Sequence, residues 1–284
     1  SSTSVSSSFG LDTATASDTA DDSGDAGDPS DRDADGVIDE EDCDDTDPSL
    51  GARAEDADCD GIRTEEDCDD ADAENADACT HCEGSYTLTD EAETQEAVRY
   101  CWSVDDLILD ENHMTTLEVL HNLETIDNFL YFKATQLLGN MEGLEGLNSV
   151  LNLQVEGARC MGDLNGLESI GGVLDNVYIV DNLEIRDIDA LAGITGIAEV
   201  LSIEGNASIF GIDGLSGITH VDGYLQIRNN RYLDNLDGLD ALTHVGISID
   251  ISDNPALCQS TVDAFVTRLE GESIVVASGN KDDC

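Results

Sequence analysis

Leu201-Ser-Ile203-Glu-Gly-Asn206 is followed by Ile209, Ile212, Leu215, Ile218 and Val221. Leu225-Gln-Ile227-Arg-Asn-Asn230 is followed by Leu233, Leu236, Leu239, Leu242 and Val245, so each apolar position recurs after 24 residues. A fixed period of this size marks a chain of stacked structural repeats, which settles the fold class ahead of any local signal. The apolar-x-apolar start of each unit alternates with period two and reads as a short strand with one buried face. The later apolar positions come every third residue, which fits successive turns that each drop one side chain into a shared core.

The register extends both ways. Leading pairs fall at Phe129/Tyr131, Leu153/Val155, Val177/Ile179, Leu201/Ile203, Leu225/Ile227 and Ile249/Ile251. A shorter unit starts at Leu107/Leu109, giving seven rungs, and a last strand-like run covers Ile274 to Ala277. Asn182, Asn206, Asn230 and Asn254 share one rung position, where a stacked amide ladder can form. One rung cannot bury its face alone, so stacking makes the core and both ends need caps. The expected fold is mainly β: a right-handed β-helix or leucine-rich-repeat-like solenoid of about seven 24-residue rungs, with a small irregular Asp-rich region before it.

Lys and Arg total 11 against 64 Asp and Glu, a net charge of −53. That excludes a nucleic-acid binder, whose affinity comes from cations on phosphate, and argues against docking on an anionic membrane. No apolar run has the length of a membrane span. The chain starts at Ser1 and has no signal-peptide core, so a mature or trimmed form is expected, with room for a lipid or surface anchor upstream. Nine cysteines suggest an oxidising, extracytoplasmic setting.

Residues 1–30 are Ser, Thr, Ala, Asp and Gly and read as a disordered tether. Residues 31–78 hold two copies of one pattern, 25 residues apart. The first is Asp31-x-Asp33-x-Asp35-Gly36-Val37-x-Asp39-x-x-Asp42-Cys43-Asp44-Asp45-x-Asp47. The second is Asp56-x-Asp58-x-Asp60-Gly61-Ile62-x-Thr64-x-x-Asp67-Cys68-Asp69-Asp70-x-Asp72. Carboxylates at loop positions 1, 3 and 5 converge on one point, glycine at 6 permits the turn, the carbonyl at 7 adds a ligand, and a carboxylate at 12 closes an oxygen cage for Ca²⁺. Thr64 stands where the first loop has Asp39, which weakens the second site. Few apolar residues lie here, so metal binding should be coupled to folding.

Cys82 to Leu88 reads as a strand and Thr89 to about Tyr100 as a helix, which together make an N-terminal cap bracketed by Cys82 and Cys101. Asn254-Pro255 ends the last full rung; a helix near Thr261–Leu269 and the final strand then make a C-terminal cap bracketed by Cys258 and Cys284. Cys43–Cys59 and Cys68–Cys79 complete the expected disulfides and leave Cys160 as a free thiol or an intermolecular link. Cys79-x-x-Cys82 has His81 inside it but no second half, so disulfides are favoured over zinc. His220 and His244 should stack. Asp189, Asp213 and Asp237 should stack as turn caps.

The Asp-rich loops resemble the calcium repeats of thrombospondin type 3 and the metal-binding repeat of secreted bacterial surface proteins. Repeated Leu-x-Ile-x-x-Asn, followed by Leu-Asp-Gly-Leu and Leu-Thr-His-Val-Gly, is similar to the receptor L domain of the insulin and epidermal growth factor receptors. The Cys82…Cys101 bracket matches that family's N-terminal cap. The similarity covers about 80–284 and implies a non-catalytic recognition domain that binds a protein or glycan on its broad sheet face. No Ser/His/Asp constellation or phosphate loop is evident, and an enzyme is not expected. The expectation is a secreted or cell-surface module on a calcium-stabilised stalk. The alternative is a self-assembling surface or filament protein; a polysaccharide-processing β-helix is a third. With the leading pairs inward, Ile108, Leu130, Phe132, Tyr178 and Val180 would point outward as one apolar binding patch.

Overall fold

The computed structural model describes residues 31–64, 67, 79–110, 113–269, 274–282 and 284. The expected tether over 1–30 lies outside the described residues, as do Cys68, Asp69, Asp70 and Asp72. The described chain is mainly β. Its strands are β1 (Thr80–Leu88), β2 (Cys101–Asp110), β3 (Thr125–Lys133), β4 (Ser149–Glu156), β5 (Gly172–Val180), β6 (Ile194–Glu204), β7 (His220–Val221), β8 (Tyr224–Arg228), β9 (His244–Val245), β10 (Ser248–Ser252) and β11 (Ile274–Val276). All join one 11-stranded sheet in the order β1-β2-β3-β4-β5-β6-β8-β10-β11, with β7 and β9 continuing a second short ladder beside β6. Every pairing is parallel.

The period read from the sequence is the pairing register. Leu153 pairs with Val177, Val177 with Leu201, Leu201 with Leu225, and Leu225 with Ile249. These side chains and the next inward column, Val155, Ile179, Ile203, Ile227 and Ile251, are buried. The third-residue positions, such as Ile209, Ile212, Leu215 and Ile218, are buried as well, so strand and turns enclose one aliphatic core. The turns are 3₁₀ helices at Glu118–Leu120, Asp189–Leu191, Asp213–Leu215 and Asp237–Leu239. They stack tightly: a Cβ on Gly214 or Gly238 would fall 1.9 or 1.8 Å from the carbonyl oxygen of Ile188 or Ile212 in the preceding turn.

Asn182, Asn206, Asn230 and Asn254 are fully buried. Each donates its side-chain N–H to a strand carbonyl of the repeat before, namely Val155, Ile179, Ile203 and Ile227, at 2.7 to 3.0 Å. Each Oδ1 of Asn206, Asn230 and Asn254 accepts the backbone N–H of the preceding ladder asparagine. The ladder runs one step further than the sequence suggests, because Asn280 takes the next position after a 26-residue spacing. Asn206, which opens an Asn-Ala-Ser glycosylation sequon, is thus a core residue.

One register differs from expectation. β3 pairs Leu130 with Leu107 and with Leu153, and Phe132 with Leu109 and with Val155. The two repeats flanking β3 are 23 residues long, so counting back 24 from Leu153 lands one residue early. Leu130 and Phe132 are fully buried, while Phe129 and Tyr131 are half-exposed. A slip of one residue sends every side chain of a strand to the other face. Leu130 and Phe132 are therefore core residues and not part of an outer patch.

Both caps form, the N-terminal one with a shorter helix than its pattern suggests and the C-terminal one close to its expected bounds. α1 covers only Ala92–Glu96, and the chain then turns directly into β2. α2 covers Gln259–Arg268 and buries Val262 and Phe265 over the end of the core. Cys82–Cys101 and Cys258–Cys284 are bonded as expected, as is Cys43–Cys59. Cys79 is disulfide-bonded, and Cys160 is an exposed free thiol. His220 pairs with His244 across β7 and β9. Asp189, Asp213 and Asp237 do open successive turns, but their carboxylates accept no hydrogen bond among the described residues. They are not caps, because the 3₁₀ turn closes on backbone bonds alone, such as Leu215 N–H to Ile212 O at 3.0 Å.

Candidate metal centres and the outward sheet face

Two acidic loops share one geometry. In the first, Asp31 accepts the N–H groups of Ala34 (2.8 Å) and Gly36 (3.2 Å), Asp33 that of Asp35 (3.3 Å), and Asp35 that of Val37 (2.7 Å). In the second, Asp56 accepts from Cys59 (2.7 Å) and Gly61 (2.9 Å), Asp58 from Asp60 (3.3 Å), and Asp60 from Ile62 (2.7 Å). The backbone repeats as well. Ala34 and Cys59 have φ of 65° and 66°, and Gly36 and Gly61 have φ of 102° and 96°. Left-handed turns at loop positions 4 and 6 fold the chain back so that alternate carboxylates converge.

They converge as clusters. One ligand oxygen from each of Asp31, Asp33 and Asp35 lies within 4.8 Å of the others, and the same holds for Asp56, Asp58 and Asp60. Each cluster can hold a metal ion. Burial lifts the Asp33 carboxyl above the usual range, and the charges of Asp35, Asp42 and Asp31 push it further. Burial lifts Asp58 in the same way, with Asp60, Asp67 and Asp56 adding to it. Position 12 of each loop therefore faces its own cluster electrostatically, as the spacing predicts. Among the described residues, the Oδ2 atoms of Asp33, Asp42, Asp58 and Asp60 are buried without a hydrogen-bond partner. Asp42 is 2% exposed.

Not every aspartate in the pattern joins a cluster. Arg32 takes Asp39 (3.1 Å) and Asp45 (2.6 Å) as ion-pair partners. Asp44 accepts from Thr46, and Asp47 accepts from both the N–H and the hydroxyl of Ser49, which holds its carboxyl below the usual range. These four carboxylates have partners of their own within the loop. Val37 and Ile62 show only their N–H bonds. The loops are joined by Cys43–Cys59, by the Arg53 side chain on the Asp42 carbonyl (2.9 Å) and by the bridge between Asp42 and Ala52.

The outward sheet face is the second candidate. With the register corrected, its columns carry Phe129, Tyr131, Tyr178 and Tyr224 beside Ile108 and Val180, all partly or largely accessible. Polar side chains fill the spaces. Tyr131 donates to Glu156 (2.7 Å), which also accepts from Gln154 (2.8 Å). Burial, then the Glu156 bond, pushes the Tyr131 phenol well up, and burial with Glu199 raises Tyr178. Lys133 meets Asp110, and Arg228 bridges Glu204 and Asp250. The face is thus an aromatic and amide surface with fixed ion pairs, not the continuous apolar patch to which Leu130 and Phe132 would have contributed.

No protein-family model matches the chain, and no curated protein is detectably similar to it. No described helix is long and apolar enough to cross a membrane.

Proposed function

We propose that the protein is a secreted or cell-surface recognition module: a right-handed, leucine-rich β-helical solenoid held out on a calcium-ordered segment. The observation that carries this reading is the set of four buried carboxylate oxygens without a hydrogen-bond partner, on Asp33, Asp42, Asp58 and Asp60, divided between two loops of repeated geometry. A buried anion lacking a partner is costly, and a hard divalent cation relieves several at once. Oxygen-only donors at this spacing suit calcium, with carbonyls of Val37 and Ile62 completing the cages. The disulfides Cys43–Cys59, Cys82–Cys101 and Cys258–Cys284 are compatible with an oxidising, extracellular location. The resemblance to receptor L domains supports use of the outward sheet face, and its exposed aromatics among amides fit a glycan or a protein loop.

The test has two arms. Calcium titration of the full chain by calorimetry should give two sites with affinity on the order of 10⁻⁴ to 10⁻³ M. Chelation should enlarge the chain and expose 31–64 to protease while 80–284 stays intact; unchanged size and proteolysis would refute the calcium part. On a glycan and protein array, Tyr131→Ala with Tyr178→Ala should lose whatever the wild type captures. One observation favours a second reading, self-assembly: β11 is an edge strand whose Ile274, Val275 and Val276 are 70%, 43% and 47% exposed. Concentration-dependent growth of wild type, abolished by Val275→Lys, would support that reading instead.

A further inference from the structure

We propose that His81, Asp105 and Asp127 form a metal centre of a different kind, one that takes a divalent transition ion such as zinc on the first three strands of the sheet. One ligand atom from each lies within 4.8 Å of the others. The ladder itself puts them there. Between Val104 and Asp106 on β2, and between Ile126 and Phe129 on β3, the register skips residues, and β1 skips Glu83 and Gly84 at the same level. Val104 and Leu107 are both buried, as are Ile126 and Leu130, so the residues between them are excluded from the core. Coincident bulges turn Asp105 and Asp127 out of the pleat on the two strands that follow that of His81.

The imidazole is oriented from behind. His81 Nδ1 shares a hydrogen bond with the hydroxyl of Ser103, which is 1% exposed. That bond fixes the ring and leaves Nε2 free for an ion, the arrangement that outer partners give to metal-binding histidines. Cys82, the neighbour of His81, is tied to Cys101 at the start of β2, which anchors one strand of the site on the next. The same disulfide removes Cys82 as a zinc ligand, so His81 turns to the carboxylates instead of to the Cys-x-x-Cys spacing. Asp105 uses one oxygen on the Gly84 N–H (2.8 Å). The Asp127 carboxylate has no hydrogen bond or ion pair among the described residues. Two carboxylates on neighbouring strands repel unless a cation lies between them.

One nitrogen with two carboxylate oxygens distinguishes this centre from the oxygen cages. An imidazole donor suits zinc, cobalt or nickel and contributes little to calcium. Bonds of about 2.1 Å to a tetrahedral ion need donors about 3.4 Å apart. Asp127 is exposed and can close that gap by side-chain rotation, with the His81 ring held in place.

The test uses the full chain in saturating calcium, so that the oxygen cages are filled before zinc is added and their heat is recorded separately. Zinc should then bind with a stoichiometry of one and move the ring-proton resonance of one of the five histidines. His81→Ala should remove that resonance and weaken binding at least tenfold. Asp127→Asn, which keeps the size of an exposed side chain, should weaken it by a similar factor and decides the matter if His81→Ala misfolds. His244→Ala should leave binding unchanged. Zinc affinity that survives both variants, or a moving resonance that belongs to another histidine, overturns the proposal.

Discussion

Phe132 and Tyr131 are neighbours with opposite fates, and the difference is a single residue of spacing. Phe132→Asp places a charge in a fully buried column and should cost more than about 4 kcal/mol in chemical denaturation. Tyr131→Asp should cost well under half of that, and the reverse order would restore the 24-residue spacing at β3. The sequence alone favours the wrong neighbour because Phe129-Leu130-Tyr131-Phe132 is apolar throughout, so alternation offers no phase there. Where polar residues alternate, as in Leu225-Gln-Ile227-Arg, the phase is legible. The ladder asparagines are legible too, because four share one spacing; Asn280 is hidden by the two extra residues before it. Asn230→Ala removes the donor to Ile203 O (2.8 Å) and the acceptor for Asn206 N–H (3.2 Å). Each buried group left unpaired costs about 1–3 kcal/mol, so a loss of about 2–5 kcal/mol is expected in the same denaturation assay.

At the scale of one element, each acidic loop is a device with two pH regimes. In metal-free protein the folded Asp33 and Asp58 carboxyls lie above their unfolded values. Their contribution to stability is present below the ordinary carboxylate pKa of about 3.9 and is lost as pH rises through the raised value. Chelated chain should therefore be more compact near pH 4 than at pH 7 by small-angle scattering. Calcium should reverse that order, since it needs the ionised carboxylates. Scattering curves that stay flat with pH in chelator would contradict the clusters. The positions of Asp31, Asp33, Asp35 and Asp42, and of their counterparts, can be read from spacing because loop chemistry is local. The roles of Asp39, Asp44, Asp45 and Asp47 cannot, because Arg32, Thr46 and Ser49 compete for them through contacts that no spacing rule contains. The centre at His81 lies outside pattern reading altogether: its three residues are 22 to 46 positions apart and are joined only by bulges.

Across the sheet, strand order follows chain order almost without exception, so its two edges are β1 and β11, the first and last described strands. A pull between those edges acts across the ladder, at right angles to the strands, and loads the hydrogen bonds of one interface at a time. Such a molecule is mechanically soft. It should peel repeat by repeat, and each 24-residue step should release about 80 Å of extended chain, which optical-trap measurements can count. The disulfides Cys82–Cys101 and Cys258–Cys284 carry the load past β1 and β11, because force entering at a cysteine leaves through its partner. With both bonds intact the outermost strands bear no tension, and peeling starts inside them. Reduction should add two new steps, from loops of 19 and 26 residues, of about 65 and 90 Å. The capping cysteines thus make the protein an extensible spring with inextensible grips.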